Sequence, residues 1–311
     1  MLQLLDLAGI YFRAFFAVPA SLRSPSGKPI NAVRGSLDII RRVVEDARPE
    51  RLVACLDLDW RPAFRVTAIP SYKTHRVLVS APAIKGVVQE VVPDELSPQV
   101  PVLLDILGAI GIALAGAEGF EADDVIGTLS THRDHPVEVV TGDRDLMQLA
   151  TDDPPPVRVR YIGAGMARTE VLGAAEVSAK YGIPPGGYAD FAALRGDPSD
   201  GLPGVPGIGD KTAASLIARF GSLEGLIDAV GDPKSGLTAS MRHKLAPALD
   251  YLDAAKVVVR VNRDATIIMD HADPLIPAVA DDPDRLDELA AQWGVRNAVD
   301  RLLETLASIR R

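Results

Sequence analysis

The chain has 311 residues, 47% hydrophobic and 24% charged, enough to build two cores and too apolar for a disordered chain. Its formal net charge of −9 speaks, on its face, against a nucleic-acid partner. No run approaches the roughly 20 continuous apolar residues of a membrane helix, MLQLLDLAG lacks a basic n-region, and the single cysteine, Cys55, rules out a disulfide framework or a cysteine-held zinc, so a cytoplasmic protein without membrane attachment is expected.

The first predicted strand, LQLLD, ends in Asp6. A helix over residues 32–47 (AVRGSLDIIRRVVEDA) leads to a second strand, RLVACLD, which ends in Asp57, with Asp59 as the fallback. Cys55 lies inside that apolar run, a poor setting for a reactive thiol. Residues 66–100 show no clean period and are too long for an ordinary connection, which marks a functional or mobile segment. Arg65, Lys73 and Arg76 lie in or beside it, where by themselves they would pass for surface solvation. Tyr72 could stack on a base or belong to a core. A helix over residues 100–112 follows.

In GFEADDVIGTLS, Ala122, Val125, Ile126 and Leu129 recur at helical spacing. Glu121 and Asp124 then share one flank, while Asp123 falls on the other and would reach a cation through water. Acids in a first helical turn also suit the positive end of the helix dipole, so this stretch alone does not make a site. The third strand, PVEVVTGDRD, runs into Asp143 and Asp145. Three strands that alternate with helices and each end in aspartate predict a parallel α/β sheet with its carboxylates aimed into one crevice.

From about residue 185 the pattern turns helical, with one further strand-like run, DATIIM, and a soft boundary is expected at 187/188. RGDPSDGLPGVPGIGDKTAASLI opens the second region. Asp197 and Asp200 form a compact acidic pair, and a Gly/Pro-rich turn carrying Gly204, Gly207 and Gly209 precedes a helix that begins near Lys211 and Thr212. Such a turn offers backbone N–H groups to phosphate, with Lys211 and Lys180 adding charge; it would also serve as a mere connector.

The turn resembles a helix-hairpin-helix. Taken with LLDLAGIYFRAFFAVP, FRVTAIPSYKTHR, GFEADDVIGTL, VVTGDRDLMQL and FAALRGDPSDGLPGVPGIGDKTAA, in that order, residues 1 to about 225 resemble the bacterial 5′ nuclease family. That family includes flap endonucleases, 5′→3′ exonucleases and the N-terminal domain of DNA polymerase I. The resemblance implies a PIN-like α/β fold, a central mainly parallel sheet flanked by helices, over residues 1–187. Residues 66–100 would form an arch, and 188–311 a helical DNA-binding region with a helix-three-turn-helix. It implies two divalent cations, Mg²⁺ or Mn²⁺. Asp6, Asp57, Glu121, Asp123, Asp124, Asp143 and Asp145 would serve the first, some through water; Asp197 and Asp200 would serve the second, with Asp145 able to be shared. Lys73 and Arg76 would contact the scissile phosphate, alongside Asp143 and Asp145 as catalytic residues. Arg65 and the hairpin residues Gly204, Gly207, Gly209, Lys211 and Thr212 would bind DNA, with K⁺ at the hairpin. The expected partner is DNA with a 5′ flap, nick or 5′ end, or an RNA primer, met by a stand-alone monomeric enzyme of replication and repair.

The residues are consistent with that chemistry. Hard cations take oxygen ligands, and none of the five histidines lies in these acidic motifs. The nine acids named equal the net charge of −9, so the remainder of the chain is near neutral and its total no longer tells against DNA. Two departures stand out: LLDLAG replaces the family's usual Asp-Gly, and residues 77–100 are poor in Lys and Arg.

Overall fold

The computed structural model describes residues 1–77 and 89–310. Within the expected arch, residues 78–88 lie outside the described residues.

Among the described residues, seven strands form one sheet: β1 (Leu2–Asp6), β2 (Arg51–Cys55), β3 (Ala113–Gly116), β4 (Val137–Thr141), β5 (Val157–Tyr161), β6 (Glu170–Leu172) and β7 (Ile268–Met269). Their order is β6-β5-β4-β1-β2-β3-β7, parallel through the five central strands and antiparallel at both edges. The chain lays β2 and β3 on one side of β1, then crosses back to place β4 on the other. The reversal between β1 and β4 is the point at which open α/β sheets form a crevice beyond their carboxyl ends.

The central strands are buried on both faces, so their side chains alternate between two cores. Leu4, Val53 and Val139 belong to one core; Leu5, Leu52, Ala54 and Val140 belong to the other. The second core is roofed by α1 (Leu7–Ala17), α2 (Asn31–Ala47) and α4 (Gln99–Ile110), with the short α3 (Ala63–Ala68) lying between β2 and α4 in sequence. The first core is covered by α5 (Ala122–Thr131) and by helices of the later chain: α6 (Ala174–Tyr181), α7 (Tyr188–Arg195), α8 (Asp210–Phe220), α9 (Leu223–Gly231), α10 (Ala239–Leu245) and α11 (Leu249–Val259).

The crossover helices and the strands in LQLLD and RLVACLD form where the periodicity puts them, within a residue or two at their ends, whereas of DATIIM only Ile268 and Met269 join the sheet. Strand β3 follows directly on the predicted helix over 100–112, where the sequence reading places no element. Gly111, in the left-handed conformation at φ 92°, ends α4 and lets Ile112 turn into the sheet.

The last helices depart from the expected division. Residues 188–311 were read as one helical region, yet α12 (Pro283–Trp293) and α13 (Arg296–Arg310) pack on α4 and α2. Leu286, Leu289, Trp293, Leu302 and Leu306 are buried in the same core as Leu5, Ile10 and Leu37. Strand β7 pairs Met269 with Ala115, so the chain returns to the sheet before these helices begin.

Candidate active site

The carboxyl ends of β4, β1 and β2 lie side by side, and each delivers an acid. Asp6 closes β1 and caps α1, its Oδ1 accepting from the Gly9 N–H at 2.8 Å. A Cβ on Gly9 would stand 2.3 Å from Asp6 Oδ2, so glycine is required for this close approach. Across the switch point, the Thr141 hydroxyl donates to Asp6 Oδ2 at 2.8 Å and accepts from the Asp143 N–H at 2.8 Å. Thr141 thus fixes two acids at once. Asp143 Oδ1 accepts from the Asp145 N–H at 2.8 Å. Asp57 follows β2 and accepts from the Ala122 N–H at 2.7 Å, tying it to the start of α5. Asp59 instead holds the local turn through the Arg61 N–H; it is not among the residues lining the cleft.

The acids of α5 divide sharply. Asp123 lines the cleft, and no described residue donates a hydrogen bond to its carboxylate. Asp124 is fully buried and carries a bidentate ion pair with Arg65, both contacts at 2.7 Å. It also accepts from the Asn262 and Glu121 N–H groups. With both oxygens engaged inside the protein, Asp124 is not available to a cation, and the expectation that it is a metal ligand is corrected. The same pair corrects Arg65, expected to bind DNA. Its guanidinium is 2% exposed and also reaches Glu121 and the Val258 carbonyl, so it cannot meet a phosphate. The helical spacing had put Asp123, rather than Asp124, at the remote position.

Glu121 is the hub of this wall. Its Oε2 accepts from Arg65 at 2.5 Å and from the Tyr72 hydroxyl at 2.7 Å, while its Oε1 receives Lys73 Nζ. Tyr72, 3% exposed, is therefore a core residue with its hydroxyl satisfied. Burial alone would lower the Lys73 pKa, but Glu121, with Asp200 and Asp57 behind it, outweighs that and holds the ammonium charged.

The opposite wall comes from the loop after α7. Asp197 Oδ1 accepts from the backbone and hydroxyl of Ser199 at 2.8 and 2.6 Å. The loop is bolted to residues 71–76: the Lys73 N–H reaches the Asp200 carbonyl at 2.9 Å, and Arg76 reaches the Ser199 carbonyl at 2.7 Å. Lys73 takes up a left-handed backbone at φ 49° to do so. The cleft between the walls has a volume of about 850 Å³ and is lined by Asp6, Asp57, Glu121, Asp123, Asp143 and Asp197, with Lys73, Arg76, Arg13, Arg144 and Arg195 around it. Arg195 ends α7 just before the acidic loop, a basic residue at a helix C-terminus that the sequence reading passed over. Thr141 was missed too, and its strand position gave no sign of its bridging role.

Crowding shows in the acidities. Burial first, then neighbouring carboxylates, push Asp6 and Asp200 up to about 6 and lift Asp145 and Asp123 well above the usual range. Asp57 and Asp143 are raised for the same reasons; because both remain accessible through the cleft mouth, water screens them more than it does Asp145. Asp145 Oδ1 is buried with no hydrogen-bond partner. Among the described residues no three acids close on one point as a ready-made cage. An all-oxygen donor set with an orphaned carboxylate oxygen, spaced too widely for a dry cage, fits a hard cation that keeps several of its waters.

Beyond this wall, the turn between α7 and α8 is built from close backbone contacts. Gly196 and Gly204, at φ 81° and 67°, pack against each other, and a Cβ on Gly204 would stand 2.4 Å from the Arg195 carbonyl oxygen. Gly207, Gly209 and Lys211 are exposed, Thr212 partly so. Gly209 caps α8 without a side-chain bond; the Thr212 N–H turns back to the Gly209 carbonyl at 3.0 Å, and the Asp210 and Lys211 N–H groups have no partner among the described residues.

Comparison with known proteins covers most of the chain. The profile of the 5′-3′ exonuclease N-terminal resolvase-like domain matches residues 1–182, and that of the 5′-3′ exonuclease C-terminal SAM fold matches 183–282. A 5′-3′ exonuclease of Mycobacterium tuberculosis is 52% identical, over 99% of this chain and 98% of its own length. DNA polymerase I of the same organism is 37% identical over 99% of this chain, which spans 32% of the polymerase. A bacteriophage T5 flap endonuclease variant, crystallised as a pseudo-enzyme–product complex with DNA and metal ions, superposes with a TM-score of 0.61 at 17% identity, covering 99% of this chain and 98% of that one. At that identity the likeness speaks for the fold.

Proposed function

The chain belongs to the 5′-3′ exonuclease family, and from that membership we propose that it is a divalent-metal-dependent 5′→3′ exonuclease and flap endonuclease that cuts DNA at or near a 5′ end. One observation carries the reading: acids from the ends of β1, β2 and β4, from α5 and from the loop after α7 converge on one open cleft that also holds Lys73 and Arg76.

Two divalent cations, Mg²⁺ or Mn²⁺, would supply the Lewis acidity that lowers the pKa of an attacking water and offsets charge on the phosphodiester. Asp6, Asp57, Glu121, Asp123 and Asp143 would hold the first, partly through water, and Asp145, Asp197 and Asp200 the second. Lys73 and Arg76 face the incoming phosphate, and their anchoring to the Asp200 loop keeps them in register with the acids. Charge-assisted hydrogen bonds from these cations orient the phosphodiester and offset the charge that builds on it. Gly207, Gly209, Lys211 and Thr212 would grip the duplex backbone, and the hairpin would use K⁺ to offset phosphate charge. Substrates are 5′ flaps, nicks and primer ends met in replication and repair, and the enzyme works as a monomer.

The test uses purified protein and end-labelled flap, nicked and single-stranded DNA with Mg²⁺, Mn²⁺ or EDTA. Metal-dependent release of 5′ products is expected. Tight flap binding without cutting in either metal would overturn the reading.

A further inference from the structure

Among the described residues five cationic side chains border the acidic cleft, and four of them are held by other groups. Lys73 is committed to Glu121, Arg76 to the Ser199 carbonyl, Arg13 to the Gly163 carbonyl and Arg144 to the Tyr161 hydroxyl. Arg195 differs. Its Nε donates to the carbonyl of the next residue, Gly196, at 3.1 Å, which leaves its terminal nitrogens to the acids of the cleft. Nη2 stands 3.7 Å from Asp197 Oδ2, an ion pair too long for a hydrogen bond. Asp197 Oδ1 is already held by Ser199, so Oδ2 is the oxygen left for a cation, and it is the one that Arg195 faces. The guanidinium lies 5.2 Å from the centre of the buried Phe191 ring, a contact that places the group without fixing its terminal nitrogens. Asp145 also feels the Arg195 charge, yet its Oδ1 is buried with no hydrogen-bond partner. The Tyr188 hydroxyl, from the start of α7, is likewise buried and unpartnered, and it feels both charges. Arg195 therefore compensates this side of the cleft without saturating it.

We propose that Arg195 is a resident counter-ion at the second cation site and yields that site only when a phosphodiester enters the cleft. In the DNA-free protein its guanidinium offsets Asp145 and Asp197 and repels a divalent cation from them. A phosphate is the better partner, because its oxygens accept from both terminal nitrogens of one guanidinium. Arg195 then turns from Asp197 to the phosphate and leaves Asp145 and Asp197 to the cation. The inference rests on the nuclease reading and gives it an order, phosphate before second cation.

The test counts Mn²⁺ bound to DNA-free protein by electron paramagnetic resonance. Wild type is expected to take up one ion and to bind a second far more weakly. Arg195→Ala should tighten the weaker site about tenfold, as expected when one nearby charge leaves a partly hydrated site. Arg195→Gln, which keeps an uncharged stem over Phe191, should do the same, and Arg195→Lys should restore the weak site. Damage to the loop alone would loosen cation binding rather than tighten it. In flap cleavage, Arg195→Ala should reach half its maximal rate at a lower Mg²⁺ concentration while its KM for DNA rises. Unchanged or weaker Mn²⁺ binding in Arg195→Ala and Arg195→Gln overturns the proposal, as does Arg195→Lys binding Mn²⁺ as they do. Failure of wild type to cut any flap in either metal would instead strike the nuclease reading itself.

Discussion

Asp123 and Asp124 are one peptide bond apart, and the start of α5 turns them onto opposite ground. Asp124 locks Arg65 into the core, whereas Asp123 looks into the cleft. Replacing Asp124 with alanine leaves a buried guanidinium with only Glu121 opposite it, so a stability loss of about 3 kcal/mol is expected in urea melts. Asp143→Ala should melt close to wild type or above it, because one of several mutually repelling carboxylates is gone, while flap cleavage falls by orders of magnitude and flap binding survives. Wild-type rates in the Asp143 variant would remove that residue from the chemistry. The pair was legible in the sequence as acids at a helix start, but their roles were not. A helical wheel presumes regular geometry, and Glu121, the residue before α5, is extended at φ −88° and ψ 165°. Nor could spacing reveal that Arg65, distant in sequence, would claim Asp124.

The crowded acids also set a pH dependence at this scale. Asp6 and Asp200 bind protons more tightly in the folded protein, with pKa values of about 6 against 3.8. The stability they contribute is fully present below the unfolded value and is lost as pH rises through the folded one. Metal-free protein should therefore melt at a lower temperature at about pH 7 than at about pH 5, after other titrations are matched with an Asp6→Asn/Asp200→Asn control. Mg²⁺ should raise the melting temperature more at the higher pH, since cation and proton compete for the same oxygens. Scanning fluorimetry with and without EDTA measures both slopes; a Mg²⁺ effect that grows on acidification would contradict the account.

Among the elements, the turn before α8 shows how local chemistry is written in glycine. Gly204 has a left-handed backbone and a carbonyl where its Cβ would be, whereas Gly209 sits at φ −103° in open space. Gly204→Ala should cost on the order of 2 kcal/mol or more and weaken duplex binding; Gly209→Ala should fold normally. Lys211→Ala should reduce the salt dependence of duplex binding by about one unit in the log–log slope, without changing which sequences bind. Equal salt slopes would take Lys211 off the interface. This turn was readable because glycine and proline state their conformational demands in the sequence. Strand β3, with the sequence ALAG, was not: small residues lack the β-branched signature, and the apolar run continued from the helix before it. The five-residue β5, VRVRY, carried the alternation of a strand and was overlooked between two turn-rich stretches.

For the whole molecule, the decisive feature is the return of the late chain to the sheet. The family profiles stop at residue 282, but Trp293, Leu302 and Leu306 complete the core under α2 and α4. A chain cut after 282 should expose that core, bind a hydrophobic dye and lose its cooperative melt, whereas the full chain should not. A truncated chain that melts like the full one would show these helices to be dispensable. The parallel sheet and its acidic edge could be foreseen from three short runs with one grammar. The destination of α12 and α13 could not, because an amphipathic helix announces that it needs a partner without naming it.

The same connectivity bears on the protein's synthesis. Strand β1 is made before the other strands of the sheet yet lies mid-sheet. Its partner β4 comes more than a hundred residues later, and the helices that seal its core come last. Such long-range closure is slow and cannot finish on a partial chain. Until Thr141 and the Asp197 loop have been made and have folded against β1, Asp6 lacks its partners and the cutting centre is incomplete. The topology works as a timer: it withholds a potentially damaging activity until residues far along the chain have joined the sheet.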